Sequence, residues 1–337
     1  MRRVFITGTA GFIGFHLARQ LLDAGWRVYG FDGMTDYYDV ALKHSRQNIL
    51  LAHPNFSTTT AQLEDAHAVA RALTDAAPEA VVHLAAQAGV RYSLEAPRSY
   101  IDSNVTGTLN VIEAAQRAGV AHLLMASSSS VYGGNTRLPF RETDQTQLPL
   151  SIYAATKAAT EDLGHAYAHL YNLPVTCFRF FTVYGSWSRP DLAPFKFARA
   201  ILSGQPIDVY NHGDMYRDFT FVGDLVRAVE LLIDCPPPAP GAARIDGDSL
   251  SPVAPWRAIN IGNSNKVRLT DFIDALETAL AVPATRNLMP MQPGDVPATW
   301  ADAELLHALT GYRPDTKLRD GIISFVDWFR DYHHIPA

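Results

Sequence analysis

The fold is decided near the amino terminus by the stretch Val4-Phe5-Ile6-Thr7-Gly8-Thr9-Ala10-Gly11-Phe12-Ile13-Gly14. The apolar run up to Thr7 predicts a buried strand, and the apolar pattern from Phe12 onward predicts a helix. Glycines between a strand and a helix let the backbone turn tightly, so that a pyrophosphate can reach the N–H groups where the helix begins. The stretch therefore predicts the phosphate-binding turn of a strand–helix–strand unit, with Gly8, Gly11 and Gly14 as its glycines.

An acidic residue at the end of the next predicted strand indicates which dinucleotide is bound. Asp32 follows Gly14 by 18 residues. A carboxylate at this place accepts hydrogen bonds from both hydroxyls of an adenosine ribose and repels a 2′-phosphate. We therefore expect NAD rather than NADP as the cofactor. The alternative is a glycine-rich turn that precedes an ordinary surface aspartate.

Predicted strands and helices alternate through the first half of the chain. The strands are Arg3–Thr7, Arg27–Phe31, Ser57–Thr60, Ala80–Leu84, His122–Ala126 and Val175–Phe180. The helices are Phe12–Ala24, Asp65–Ala76, Val105–Ala118 and the long Ile152–Tyr171. Because these strands are almost wholly apolar, they are typical of a parallel sheet that is covered on both faces. The pattern predicts an α/β fold with a doubly wound parallel sheet of the Rossmann type.

The second half has shorter elements, which predict a smaller C-terminal α/β substrate domain. They are helices Pro194–Ser203, Val222–Ile233, Leu269–Ala279 and Leu318–Tyr332, and a strand at Ala258–Ile261. Six prolines in the segment Cys235–Pro255 predict an exposed loop. We expect an NAD-binding domain over residues 1–180 and a mainly substrate-binding domain over residues 181–337, with Ala258–Ile261 crossing back to the first.

Composition excludes several classes of partner. The chain has 28 Lys and Arg against 34 Asp and Glu, a net charge of −6 without basic runs, which disfavours nucleic acid and anionic membranes. The first apolar run is too short for a signal peptide or a membrane span, so we expect a cytoplasmic protein. Cys177 and Cys235 are too few for a disulfide framework and lack metal-ligand spacing, so we expect no metal site.

A tyrosine and a lysine share one face of the long helix. Tyr153 and Lys157 are four residues apart at its start, so the ammonium can lie beside the phenol. A free phenol has a pKa near 10, and a neighbouring ammonium together with an oxidised nicotinamide would favour the phenolate as a base. Alone, the pair is equally consistent with an amphipathic helix that carries a solvated lysine. The catalytic interpretation of the pair is favoured by the serines Ser127-Ser128-Ser129-Ser130, which directly follow the predicted strand His122–Ala126.

The glycine spacing G-x-x-G-x-x-G, Asp32, the serine run and Tyr-x-x-x-Lys occur in the order that resembles the extended short-chain dehydrogenase/reductase family. The resemblance implies that Tyr153 is the base, that Lys157 orients it and holds the nicotinamide ribose, and that Ser128 is the catalytic hydroxyl. It also implies further cofactor contacts at Phe12, Ile13, Gln62, Leu63, Leu84, Ala85, Ala86, Gln87 and Asn104. Gln62-Leu63 departs from the family, which usually has an aspartate at the first of these positions; an amide can still hydrogen-bond adenine.

Several longer stretches resemble the UDP-glucuronate 4-epimerases within this family. They are Asp36–Val40, Ala85–Ser93, Arg179–Gly185 and Met291-Gln292-Pro293-Gly294-Asp295-Val296. Related 4,6-dehydratases carry Asp-Glu, and UDP-glucuronate decarboxylases a glutamate, just before a Val-Tyr-Gly motif. This chain has Ser129-Ser130 there, so elimination is poorly equipped and reversible oxidation at one carbon remains. The resemblance implies interconversion of UDP-glucuronate and UDP-galacturonate through a transient 4-keto sugar.

Candidate substrate residues follow from the chemistry of a UDP-sugar acid. Ser129, Ser130 and Thr182 offer neutral donors to the sugar carboxylate, although Thr182 is also an ordinary β-branched strand residue. The planar guanidinium groups of Arg189 and Arg217 suit the pyrophosphate. The resemblance matches Asp295 to a uridine-ribose contact. Arg91 is a further candidate, with a solvated or structural role as the alternative.

Two other functions remain open at this level. The chain could epimerise a neutral or N-acetylated UDP-sugar, or it could be a catalytically idle NAD-binding sensor or scaffold. By analogy with the relatives, we expect a homodimer that pairs the helices Val105–Ala118 and Ile152–Tyr171.

Overall fold

A computed structural model describes residues 1–292 and 295–336. Up to Phe180 the chain forms six parallel strands, five from largely apolar runs and one from a more polar run. The strands are β1 (Arg3–Thr7), β2 (Arg27–Asp32), β3 (Phe56–Thr60), β4 (Ala80–His83), β5 (His122–Ala126) and β6 (Val175–Phe180). A later strand, numbered β10 (Trp256–Ile261) in chain order, joins β6 and completes the sheet. The sheet order is β10-β6-β5-β4-β1-β2-β3, and all of its pairs are parallel. The predicted doubly wound α/β fold is confirmed.

Helices cover both faces of this sheet. They are α1 (Phe12–Asp23), α2 (Val40–Leu51), α3 (Ala66–Ala76), α4 (Tyr92–Glu95), α5 (Pro97–Tyr100), α6 (Gly107–Ala118), α7 (Ile152–Tyr171) and α9 (Val222–Ile233). Alternate residues of β1 enter different cores: Val4 and Ile6 pack with α1 and α9, and Phe5 packs with α3 and α6. This alternation is why the strands had to be apolar at nearly every position.

The remaining elements form a smaller α/β part. They are β7 (Thr182–Tyr184), α8 (Ala193–Leu202), β8 (Ile207–Val209), β9 (Tyr216–Phe221), β11 (Lys266–Arg268), α10 (Leu269–Leu280), β12 (Arg286–Leu288), β13 (Ala298–Thr299), α11 (Glu304–Thr310) and α12 (Leu318–Tyr332). Strand β9 pairs with β7, β11 and β13, and β8 pairs with β12. Helices α8, α10 and α12 enclose a separate apolar core.

Three local expectations need correction. Helix α2 was not predicted, because its buried face includes Lys43 and Arg46 and so lacks an apolar stripe. The helix expected from Val105 is preceded by one π-helical segment, Ile101–Thr106. The proline-rich segment Cys235–Pro255 is irregular but only partly exposed, because Asp248 forms a buried ion pair with Arg257.

No helix in the described ranges combines the length and the apolar character that a bilayer crossing requires.

Candidate active site

The phosphate turn is closed by backbone contacts that only glycine permits. Gly8 has φ +81°, and a Cβ there would lie 2.9 Å from the backbone N of Ala85. A Cβ at Gly14 would lie 2.1 Å from the carbonyl oxygen of Gly8. Helix α1 therefore starts directly against the turn, and its first N–H groups face the cleft beside it. This cradle fits a pyrophosphate.

Asp32 lies at the end of β2 on the same cleft and is almost completely buried. Its carboxylate accepts hydrogen bonds from the backbone N–H groups of Ala10 and Met34, each at 2.9 Å. An ionised carboxylate has about four acceptor positions, so it retains capacity for ribose hydroxyls. Asp32 therefore both shapes the phosphate turn and presents a negative group to the cleft.

The cleft lies at the carboxyl ends of the strands and collects most of the predicted cofactor residues. It is lined by Gly8, Gly11, Phe12, Ile13, Gly14, Asp32, Gln62, Leu63, Leu84, Ala85, Ala86, Gln87, Tyr153 and Lys157. The order of the sheet reverses between β1 and β4, which is the place where doubly wound folds bind ligands. The side-chain nitrogen of Gln62 donates to the carbonyl of Gly33 at 2.9 Å. The side-chain oxygen takes no part in this bond and remains available as an acceptor.

Asn104 is the predicted cofactor residue that does not line this cleft. It lies fully buried in the π-helical segment, where its side-chain amide accepts from Gln87 N at 2.7 Å. The same amide donates to the carbonyl of Gln87 and to the hydroxyl of Thr156. Asn104 thus joins Gln87, in the segment that follows strand β4, to Thr156 of helix α7. A direct contact between Asn104 and the cofactor remains a prediction.

Ser128, Tyr153 and Lys157 all line the cleft. Ser128 caps a short 3₁₀ helix, Ser129–Tyr132, by accepting from Ser130 N at 3.1 Å. The Lys157 ammonium donates to the carbonyl of Ala126 at 2.8 Å, and burial lowers its pKa to about 8. This hydrogen bond joins the start of helix α7 to the end of strand β5, beside the predicted catalytic residues.

Opposing influences act on the Tyr153 phenol. Burial is the largest influence and raises the pKa of Tyr153, whereas the Ser128 hydroxyl and the Arg189 guanidinium lower it. The Lys157 ammonium donates one of its three N–H groups to a main-chain carbonyl, so its predicted effect on the phenol stays a prediction. Arg189, which sequence reasoning assigned to a pyrophosphate, is a second cation that favours the phenolate.

A buried ionic network supports the catalytic residues from behind. Arg179 of β6 donates to both carboxylate oxygens of Glu161 at 2.9 and 2.7 Å, one helical turn beyond Lys157. Glu161 also accepts from the Ser127 hydroxyl at 2.5 Å. Because the two ends of this network lie on the serine turn and on α7, it fixes Ser128 relative to Tyr153. No sequence motif pointed to this network.

The predicted substrate residues fall into separate places. Arg189 lines the cleft and pairs with Asp191 at 3.1 Å. Ser129, Ser130 and Thr182 lie half-buried outside the residues that line the cleft, on the serine turn and at the start of β7.

Three other substrate candidates cluster around the smaller sheet. Arg91 pairs with Asp295 at 3.3 Å and stacks on Tyr210. Burial lowers the pKa of the Arg217 guanidinium on β9. The nearby Asp295 carboxylate offsets part of this lowering. Pro293 and Gly294 of the quoted motif lie outside the described residues.

Sequence reasoning missed a group of polar and aromatic residues on the cofactor cleft. Thr35, Tyr37, Tyr38 and Lys43 line it between Asp32 and helix α2. The two consecutive tyrosines shortly after the ribose-binding position were a usable signal, since aromatic rings there can wall a nucleotide site. In the described ranges, no group of three or more His, Cys, Asp or Glu side chains is placed to hold a metal ion.

Comparison with known proteins adds independent evidence. Residues 4–241 match the NAD dependent epimerase/dehydratase family. A probable UDP-glucuronate 4-epimerase of Rhizobium meliloti is 50% identical over 97% of this chain and 96% of its own length. UDP-glucuronate 4-epimerase 1 of Arabidopsis thaliana is 42% identical over 98% of this chain and 77% of its own length.

A solved structure agrees with the fold over nearly the whole chain. UDP-glucuronic acid 4-epimerase from Bacillus cereus, in complex with UDP-glucuronic acid and NAD, superposes with a TM-score of 0.87 at 29% identity, covering 98% of this chain and 100% of that one. The extent of these matches, together with the phosphate turn and the Tyr153–Lys157 pair, shows that the chain belongs to the NAD dependent epimerase/dehydratase family.

Proposed function

We propose that the chain is an NAD-dependent 4-epimerase that interconverts UDP-glucuronate and UDP-galacturonate through a transient 4-keto sugar. The observation that carries this proposal is the meeting of Ser128, Tyr153 and Lys157 in the cleft that also contains the phosphate turn and Asp32. Support for the substrate comes from the Rhizobium meliloti relative and from the Bacillus cereus enzyme that was solved with UDP-glucuronic acid.

NAD fits the larger part of the cleft. The glycine cradle of Gly8 and Gly14 admits a pyrophosphate, and Asp32 provides acceptors for ribose hydroxyls. We assign the sheet of residues 1–180, completed by β10, to the cofactor, and the rest of residues 181–337 mainly to the UDP-sugar. When bound, NAD supplies the oxidant that takes hydride from C4 of the sugar and returns it.

Proton movement is the task of Tyr153 in this proposal. Its phenolate takes the proton of the C4 hydroxyl, and Ser128, which lines the same cleft, passes or orients that proton. Lys157 holds the end of β5 through the Ala126 carbonyl and retains further donors for a ribose hydroxyl. The Arg189 guanidinium stabilises the phenolate during the reaction.

The residues that we assign to the sugar favour epimerisation over elimination. Ser129, Ser130 and Thr182 offer neutral donors to a C6 carboxylate, and no acid stands at the two serine positions to drive loss of water. Arg189 and Arg217 are assigned to the pyrophosphate, and Asp295 with Arg91 to the uridine end. The Arg91–Asp295 pair has to open or share its carboxylate when a ribose binds there.

We also propose that the enzyme is a cytoplasmic homodimer. Cys177 and Cys235 are both free thiols, which suits a reducing compartment. Ile152 and Leu170 of α7 are exposed by 38% and 66%, and about five helical turns separate them, so they share one face. We expect Leu170→Glu to shift the sedimentation mass from two chains to one.

A labelling experiment tests the proposed reaction. The enzyme is incubated with a panel of UDP-sugars, each deuterated at C4, and the products are identified by NMR. UDP-glucuronate should give UDP-galacturonate with the label still at C4, because the same hydride leaves and returns. Washout of the label into solvent would contradict the mechanism, and turnover of neutral or N-acetylated UDP-sugars alone would contradict the substrate. Absence of any turnover would favour an NAD-binding sensor.

A further inference from the structure

Helix α2 carries an arginine that is wholly buried and forms no ion pair with any residue that the structure describes. Arg46 has 0% of its surface exposed. Its guanidinium donates to the carbonyl of Ala10 and to the Tyr38 phenol, both at 2.8 Å, and to the carbonyl of Trp187 at 2.6 Å, with a longer contact to Ser188. Among the described residues, these acceptors are carbonyls and a phenol, and none is a carboxylate. Burying such a cation is costly unless the groups around it offset the cost.

One end of this contact set is the phosphate turn. The Ala10 carbonyl accepts from Arg46, and the Ala10 N–H donates to Asp32 at 2.9 Å. Both polar groups of this residue are therefore held by side chains of opposite charge. The turn is fixed in place before any pyrophosphate reaches it.

The other end is the segment Ser186–Arg189, which joins β7 to α8. Trp187 has φ +59°, a left-handed conformation that is strained for a bulky residue. Its ring packs on Phe15 and Trp328, and its carbonyl accepts from Arg46. His16 contacts the carbonyl of Ser186 at 2.8 Å. Arg189 follows this clamped backbone and lines the cofactor cleft.

We propose that Arg46 is a positioning residue that fastens the segment Ser186–Arg189 to the phosphate turn and so holds Arg189 at the substrate pyrophosphate. The proposal rests on the assignment of Arg189 to the UDP-sugar made above. The same guanidinium places a positive charge beside the anion-binding turn, so it also favours retention of the dinucleotide.

Direct binding measurements test this role without turnover. Arg46→Gln, Arg189→Ala and the double variant are loaded with NAD, and the affinity for UDP is measured by calorimetry, together with NAD content per chain. We expect Arg46→Gln to weaken UDP binding by about ten-fold and to lose NAD on gel filtration. In the Arg189→Ala background the same change should cost less than about three-fold, since residues that act together are not additive.

Arg257→Gln is the matched control. Arg257 is another buried arginine, but it pairs with Asp248 at the amino-terminal end of β10, away from the cleft. It should lower the melting temperature while leaving UDP affinity and NAD content unchanged. If Arg46→Gln does not fold, Arg46→Lys is measured by the same criteria, because an ammonium keeps the charge and loses the fork that spans both segments.

The outcomes separate this proposal from the proposed reaction. Equal effects of Arg46→Gln with and without Arg189, or UDP affinity and NAD content within about two-fold of the parent, would show that Arg46 only fills the core. Normal UDP affinity in Arg189→Ala alone would also overturn the proposal, whatever the enzyme does to UDP-glucuronate. Failure to epimerise, with the expected non-additivity intact, would overturn the reaction and leave the role of Arg46 standing.

Discussion

At the scale of single residues, the site works because burial and local charge act against each other on Tyr153. Burial raises the pKa of the phenol, and Ser128 and Arg189 lower it. A phenol that ionises only when cations and donors are in place is protected from acting as a base in an incomplete site. The proposed catalytic oxygen is therefore influenced by two residues, Ser128 and Arg189, from different parts of the chain.

Replacing Tyr153 by Phe removes this oxygen and little else. We expect turnover to fall by about 10²–10⁴-fold, the usual contribution of a general acid–base group, while UDP affinity stays near that of the parent. Steady-state epimerisation and calorimetry with UDP measure the two quantities. A variant that keeps half of its activity would mean that another group is the base.

Asp32→Ala should weaken NAD binding and relax discrimination against NADP. The carboxylate no longer repels a 2′-phosphate, and the Ala10 and Met34 N–H groups lose their acceptor. Asp32→Asn is the matched variant, since an amide oxygen retains one of these backbone bonds without the charge. It should relax discrimination with a smaller loss of NAD affinity. Unchanged affinities for both cofactors in both variants would remove Asp32 from the site.

At the scale of elements, the serine turn and the start of β7 flank the reacting end of the cleft. Ser129 and Ser130 follow β5, and Thr182 is the first residue of β7, which pairs with β9. Oxidising C4 of a glucuronate creates a ketone β to the carboxylate, and such acids lose CO₂ when the breaking bond aligns with the carbonyl π-system. Hydrogen bonds that hold the carboxylate away from this alignment would prevent the loss.

Thr182→Ala, alone or with Ser130→Ala, should therefore raise the ratio of UDP-4-keto-pentose to epimer. It should also weaken UDP-glucuronate binding more than UDP binding, because we assign the lost donor to the sugar carboxylate. Thr182→Ser is the control that keeps the hydroxyl and should behave like the parent. Equal loss of both products with normal UDP-glucuronate binding would make Thr182 a structural residue.

At the scale of the whole molecule, buried polar residues join segments that are distant in sequence. Glu142 accepts from the backbone N of Asn260 on β10, and its own carbonyl accepts from Arg179 on β6. Asp218 on β9 accepts from the backbone N–H groups of Asn263, Ser264 and Ala301. Such contacts hold the smaller sheet against the end of the larger one.

Glu142 makes stability depend on pH. Burial raises its pKa to about 7, so the folded chain binds its proton more tightly than the unfolded chain does. The stabilisation from this proton is present at low pH and is lost as the pH rises through about 7. Glu142→Gln mimics the protonated form and should become more stable than the parent by about 1–3 kcal/mol between about pH 5 and pH 8.

Thermal unfolding across this pH range measures the difference, with Glu95→Gln as the exposed control that should track the parent. Parallel stability curves for the parent and Glu142→Gln would contradict the assigned pKa.

The sequence by itself determined the cofactor half of the fold. Most of its strands are continuous apolar runs, and its glycines and Asp32 stand at strand ends, so local pattern was enough to place them. Strands β1, β5 and β6 and helices α7 and α9 have the predicted bounds, and so does α12 in the smaller part. The catalytic residues could be named because Tyr153 and Lys157 are one helical turn apart and the serines directly follow a strand.

Only the tertiary structure decided the support of the site. Arg46 contacts a carbonyl 141 residues away, and Asn260 contacts Tyr132 across 128 residues. Helix α2 was missed because burial of Lys43 and Arg46 breaks the apolar period that identifies a helix. Helical spacing was enough to place Lys157 near Tyr153, whereas only the path of the chain brings Arg189 to it. Local pattern reports periodicity and spacing, but the partner of a buried charge depends on which distant segments the fold brings together.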